Sequence, residues 1–220
     1  MTQFSPSENI LKSKLISIFI ALILILSAFS LKAANWELVK NSNNVKVYTR
    51  DVAGFTMKEF RAVTQVKTSL DSIIALMRDV AAYPQWIADC KHASILKTDG
   101  PYNFYIYLIN GAPFPIQDRD LINHVEISQD QKTKTITMKL DGKPSFIEPK
   151  NDMVRVPKLE GFWQFEPLAD GIIEITYQVK TDPGGNLPAW LANTTVTESP
   201  WKTLTNMTRM LASAKYRQSF

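Results

Sequence analysis

The chain has 220 residues and a formal net charge of +4, and its length suits one domain with a sizeable core. Setting aside Lys12, Lys14, Lys32 and Glu8 near the N-terminus leaves a balance of +2, too small to argue for a nucleic-acid partner. The only cysteine, Cys90, excludes an intrachain disulfide, so stability has to come from packing, and Cys90 reads as a small buried hydrophobe.

In chain order, Lys12 and Lys14 precede an apolar run over 15–26, followed by small residues and Leu31-Lys32-Ala33-Ala34. Positive, apolar and small, in that order, read as a secretory signal peptide over 1–33 cleaved near Ala33, which implies an exported, periplasmic or secreted protein. The run is shorter than the ~20 residues of a spanning helix. An uncleaved segment would make the protein a membrane-tethered interaction module.

From 34 to 220 the chain reads as one domain. Asn41-Ser42-Asn43-Asn44 reads as a turn, and 45–49 as a short strand. Over 58–66, Phe60, Ala62, Thr64 and Val66 share one face, the period of two of a half-buried strand. Thr68 and Asp71 form a variant capping box for a helix whose stripe is Leu70, Ile73, Ile74 and Met77. Strands follow near 93–97, 103–109, 120–128, 134–140, 153–159, 162–166 and 172–180, separated by glycine, proline and aspartate breaks that include Asp141-Gly142 and Gly161. Short connections favour an antiparallel meander over crossovers. Asp182-Pro183-Gly184-Gly185 must end the last strand, because proline and paired glycines do not sit in a sheet interior. In the helix beyond, Ser199 is the expected cap and Pro200 the expected first residue, with Trp201, Leu204, Met207, Leu211 and Ala214 on one face. The expected architecture is α+β: a curved antiparallel sheet with the terminal helix across its concave side.

Catalytic signals are thin. No nucleophile elbow, phosphate loop or dinucleotide fingerprint occurs. Cys90-x-His92 offers two ligands where a structural zinc needs four, so no metal or other cofactor is expected. Asp118 and Asp120 flank Arg119 and are expected to pair with it, while His124 is expected to face solvent. Large rings are numerous, and beneath a single covering helix such rings often line a cavity.

Two segments carry a family resemblance. Pro113-Phe114-Pro115-Ile116-Gln117-Asp118-Arg119-Asp120 resembles the Pro-Phe-Pro and Arg-Asp signature of START domains, the lipid-transfer domains related to the steroidogenic acute regulatory protein. Asp182-Pro-Gly-Gly-Asn-Leu-Pro-Ala-Trp-Leu191 is similar to the segment that precedes their terminal helix. Trp36, Val45-x-Val47-Tyr48 and Tyr83-x-x-Trp86 match as well, so the resemblance covers about residues 35 to 216. It implies a helix-grip fold around a hydrophobic tunnel, a non-catalytic role in holding and carrying one lipid or sterol-like ligand, transient membrane contact, a monomeric state, and a hinge at Gly184-Gly185. On this basis the candidate ligand-lining residues are Trp86, Tyr105, Tyr107, Arg119, Trp163, Tyr177, Trp190 and Trp201. Where the phosphatidylcholine-binding member of the family has an arginine and an aspartate, this chain has Tyr83 and Ile87. The strand over 105–109 lacks the acidic residue of cholesterol-binding members. The alternative is an enzyme on the same scaffold, a cyclase or hydrolase of polyketide-like or aromatic substrates, with Arg119, Tyr107, His124 and Glu59 as its candidate groups.

Overall fold

The structure, a computed structural model, describes residues 35–217, which form one compact unit; the expected signal segment and its cleavage site lie outside the described residues. Ten strands form one sheet: β1 Glu37–Ser42, β2 Val45–Arg50, β3 Glu59–Lys67, β4 Cys90–Thr98, β5 Asn103–Asn110, β6 Arg119–Gln129, β7 Ile136–Gly142, β8 Val154–Arg155, β9 Lys158–Pro167 and β10 Ile172–Asp182. Among the described residues three α-helices accompany them, α1 Leu70–Arg78, the single turn α2 Tyr83–Trp86, and α3 Ala189–Leu211. The order across the sheet is β1-β2-β3-β10-β9-β7-β6-β5-β4, with β8 paired beside β6. All neighbours are antiparallel except β8, which runs parallel to the first residues of β6.

Alternation decides which face is buried. Phe60, Ala62, Thr64 and Val66 of β3 and Ile173, Ile175 and Val179 of β10 are buried on one face, the expected period of two. On the same face Leu121 and Val125 of β6 and Met138 and Leu140 of β7 join the core cluster with Leu204, Met207 and Leu211 of α3. The helix therefore closes the inner face of the sheet, as expected. Among the described residues no helix is long and apolar enough to cross a membrane.

Several boundaries differ from the sequence reading, each for a local reason. Asn41 and Ser42 belong to β1, and the hairpin turn is confined to Asn43 and Asn44, whose φ angles of 52° and 59° are those of a tight two-residue hairpin. The α1 cap is Ser69, which accepts from Ser72 N at 3.1 Å, rather than Thr68. Asp141 and Gly142 are the last residues of β7 and not a break. The strands expected at 153–159 and 162–166 are largely one strand, β9, running straight through Gly161. A Cβ there would lie 2.4 Å from the Gln178 carbonyl oxygen, so this glycine marks a close approach of neighbouring backbone, not a turn.

The largest correction concerns α3. It begins at Ala189 after Pro188, and Ser199 and Pro200 lie in its interior. Ser199 Oγ instead donates to Asp89 at 2.6 Å. Pro200 has no N–H to offer the carbonyl of Val196. Trp201 is only half-buried, and Ala214 is exposed beyond the end of the helix.

Candidate ligand-binding site

Aromatic rings dominate the inner face beneath α3. Trp86 is fully buried at the end of α2, where Pro84 occupies the first turn and costs no hydrogen bond. Its ring meets Tyr83 edge-on at 5.2 Å and Trp163 of β9 at 5.9 Å. Trp163 stacks on Tyr177 of β10 at 3.8 Å and 6°, because the two residues are direct register partners on the same face. Phe60 completes the row edge-on to Tyr177 at 5.0 Å. Burial pushes the Tyr83 and Tyr177 hydroxyls well above the usual phenol range, so neither is a base near neutral pH. Three of the eight expected lining residues, Trp86, Trp163 and Tyr177, are thus brought together.

The buried side-chain atoms without a hydrogen-bond partner include Trp86 Nε1, Asn110 Oδ1, Arg119 Nε and Asn123 Oδ1. Arg119 is 8% exposed and donates through Nη1 to the Gln117 carbonyl at 2.6 Å. Burial lowers its pKa from the ordinary value. The expected pairing of Arg119 with its flanking aspartates does not occur. Asp118 takes Lys91 at 2.7 Å, and Asp120 points to the opposite face, where Arg155 Nε and Nη2 donate to it at 3.0 and 2.8 Å. The reason is strand alternation: consecutive residues of β6 cannot share a face.

The same rule separates Tyr105 and Tyr107 from the other rings. Phe104, Ile106 and Leu108 are the residues of β5 in the core cluster, so the two tyrosines lie on the outer face. Tyr105 stacks between His124 at 4.6 Å and Phe146 at 4.2 Å; His124 is accordingly half-buried, not solvent-facing. Tyr107 donates to Asp120 at 3.1 Å. Glu59 is buried on the outer face of β3, where it accepts from Arg50 at 2.6 Å and Gln178 at 2.6 Å. Trp201 donates to the Ser42 carbonyl at 3.1 Å with Lys40 over its ring, tying α3 to β1. Trp190, in the first turn of α3, is 57% exposed.

The turn before α3 is built by Gly184 and Gly185, with φ of 66° and 61°, a conformation that favours glycine. A Cβ on Gly184 would stand 3.2 Å from Val154 Cγ1, and Val154 is the register partner of Arg119. The turn and Arg119 therefore sit at the same end of the sheet. At the other end of β6 a cavity of about 370 Å³ opens between Ile74 and Arg78 of α1, Tyr102, Ile127, Gln129 and Ile136; none of the eight expected residues lines it. Among the described residues no group of three or more His, Cys, Asp and Glu side chains could hold a metal. Sequence reasoning passed over Asn110 and Asn123. The available signal was Asn123 interrupting the apolar alternation of Leu121, Val125 and Ile127.

A long antiparallel sheet gripped on one face by a C-terminal helix, with aromatic rings between them, defines a helix-grip protein. The chain belongs to the START domain family, whose model matches residues 24–216. It is 37% identical over 172 residues to an uncharacterized protein of Pseudomonas aeruginosa, a match covering 78% of this chain and 84% of that protein. A STAR-related lipid transfer protein from Xanthomonas axonopodis is similar in structure, with a TM-score of 0.74 and 35% identity over 81% of this chain and 99% of that one. Human StAR-related lipid transfer protein 5 shares the fold at a TM-score of 0.71 and 16% identity, over 90% of this chain and 97% of that one.

Proposed function

We propose that the protein is a non-catalytic carrier that holds one lipid or similar hydrophobic molecule between the sheet and α3. The observation that carries this reading is the row Trp86, Trp163, Tyr177 and Phe60 on the face covered by α3, joined by inward polar atoms that the protein itself leaves unpartnered. Membership of the START family and the likeness to the Xanthomonas lipid transfer protein support it. Binding of this kind works by burial. Removing several hundred Å2 of apolar ligand surface from water contributes on the order of 10 kcal/mol before ordering costs, and no chemical step is involved. Against an enzyme, Glu59, Tyr107 and His124 are paired or stacked on the outer face, and Arg119 is a guanidinium that keeps its proton.

Loading would proceed by transient contact with a membrane. Phe114 is 97% exposed and Trp190 57% exposed. Their segments are joined through β8, since Val154 N donates to the Asp118 carbonyl at 2.9 Å and Val154 abuts Gly184. The charged and apolar order of residues 12–34 supports export, which N-terminal sequencing of the protein from the periplasm tests. We read the protein as a monomer without a nucleic-acid partner.

The decisive experiment is native mass spectrometry of the purified protein. A copurifying mass that is lost on denaturation and extracts into organic solvent is the expected result. A bare polypeptide mass that takes up no lipid from mixed vesicles would refute the reading.

A further inference from the structure

The inward polar groups at the Gly184 end of the sheet define the chemistry of the ligand. Arg119 and Asn123 lie on the inner face of β6, on either side of Leu121, with 8% and 4% of their surfaces exposed. Asn123 faces Ile106 on one side and Gly142 on the other, and neither side chain can donate to its Oδ1, which is unpartnered. A buried amide oxygen left without a donor is costly. Arg119 has Gln117 O for Nη1 and nothing for Nε, and no carboxylate lies within ion-pair distance of it among the described residues, because Lys91 and Arg155 take the two candidates. Across the strand pair from Arg119 stands Asn110, whose Oδ1 is also unpartnered. The frame therefore presents a cation without an ion pair, with Asp118 acting on it only at longer range, at the Gly184 end of β6, and a free acceptor about 13 Å away along the strand for four residues.

We infer that the ligand is an anionic amphiphile, its carboxylate or phosphate head held by Arg119 and a hydroxyl or amide N–H part-way along its apolar body held by Asn123. This rests on the lipid-binding reading above and narrows it. A sterol or hydrocarbon has no anionic head, and a zwitterionic phospholipid would bring a second, cationic group to a site whose neighbouring carboxylates, Asp118 and Asp120, are already paired with Lys91 and Arg155.

The test is the affinity of the delipidated protein for four probes: stearyl alcohol, stearate, stearyl phosphate and a stearate hydroxylated at mid-chain. Stearate and stearyl phosphate are expected to bind about tenfold to a hundredfold more tightly than the alcohol, the range of a charge-assisted hydrogen bond, and the tighter of the two identifies the head. Arg119→Met should erase that preference, bringing stearate and stearyl phosphate to the affinity of the alcohol. Arg119→Lys, which keeps the charge, should retain part of it. Asn123→Leu should abolish only the gain from the mid-chain hydroxyl. Equal binding of alcohol and anions, or a uniform loss in both arginine variants, would overturn the assignment of Arg119. A hydroxylated stearate no tighter than stearate would overturn that of Asn123, with water satisfying the amide instead. Binding of none of the four would remove the lipid reading itself.

Discussion

Arg155 holds the buried carboxylate of Asp120 on the outer face of the sheet. Its guanidinium gives Asp120 two hydrogen bonds, at 3.0 and 2.8 Å, in a pair whose side chains are 8% and 0% exposed. It also donates to the carbonyls of Pro144 and Ile147, which fastens the 143–153 segment over the outer face. Arg155→Met leaves Asp120 with only the Tyr107 hydroxyl at 3.1 Å, a buried carboxylate short of its counter-charge. Breaking such a pair from one side costs about 3–5 kcal/mol, a large share of the roughly 5–15 kcal/mol that holds a typical domain together. Urea unfolding of the wild type, Arg155→Met, Asp120→Asn and the double variant supplies the cycle. The double variant is expected to be more stable than the sum of the single losses by more than about 1 kcal/mol, because it removes both charges. A loss below about 1 kcal/mol in Arg155→Met, or strict additivity, would show that the pair is not the buried lock described. Because β8 abuts the Gly184 turn, the same variant should also hasten amide exchange over 184–187.

Other expectations follow from single positions. Gly184→Ala places a Cβ 3.0 Å from Pro157 Cδ at a φ of +66°, and should lower stability by roughly 1–2 kcal/mol, read as a lower urea midpoint; an unchanged midpoint would deny the turn its strain. Burial pushes the Cys90 thiol from 9.0 up to about 11. The protonated form therefore favours the folded state, a contribution fully present below pH 9 and lost as pH rises through about 11. Iodoacetamide at pH 8 should label Cys90 in urea far faster than in the native protein, and equal rates would contradict its burial. Hydrogen exchange should protect the α3 amides of 201–211 more than those of 189–199, and uniform protection would mean that the helix opens as one unit.

What the sequence made legible was whatever a period of two or a turn residue declares locally. The inner faces of β3 and β10 could be read because Phe60-x-Ala62 and Ile173-x-Ile175 alternate cleanly. The sequence also declared the end of β10, since Pro183 and the paired glycines have no place in a ladder. The start of α3 was misread because Ser199-Pro200 has the composition of a helix start. Its actual role, Ser199 bonded to Asp89, depends on a residue 110 positions earlier. Gly161 looked like a break for a similar reason, as its constraint is Gln178 on the neighbouring strand. Within the site, Trp86, Trp163 and Tyr177 converge through register. The family resemblance groups Tyr105 and Tyr107 with them, although parity with Phe104 and Ile106 on β5 assigns the two tyrosines to the other face.

The uneven anchoring of α3 decides which part of it can admit a ligand. From Glu198 onward the helix is tied to its surroundings: Lys40 to Glu198 at 2.7 Å, Trp201 to Ser42, Ala88 to Thr203 at 3.0 Å, and Asn206 to Trp86 at 3.3 Å. Leu204, Met207 and Leu211 add three buried side chains, each contributing about 1.5–3 kcal/mol. Before Glu198 the only buried residue of the helix is Val196, and the hydroxyls of Thr194 and Thr195 bond within the helix to Trp190 and Leu191. Pro200 breaks the backbone ladder close to this boundary. Lifting 189–197 therefore costs several kcal/mol less than lifting the rest. The part that lifts most easily adjoins the glycine turn and carries Trp190, and it lies at the end of the sheet where Arg119 is held without an ion pair. A ligand entering there would arrive apolar end first, leaving its charged end at the arginine.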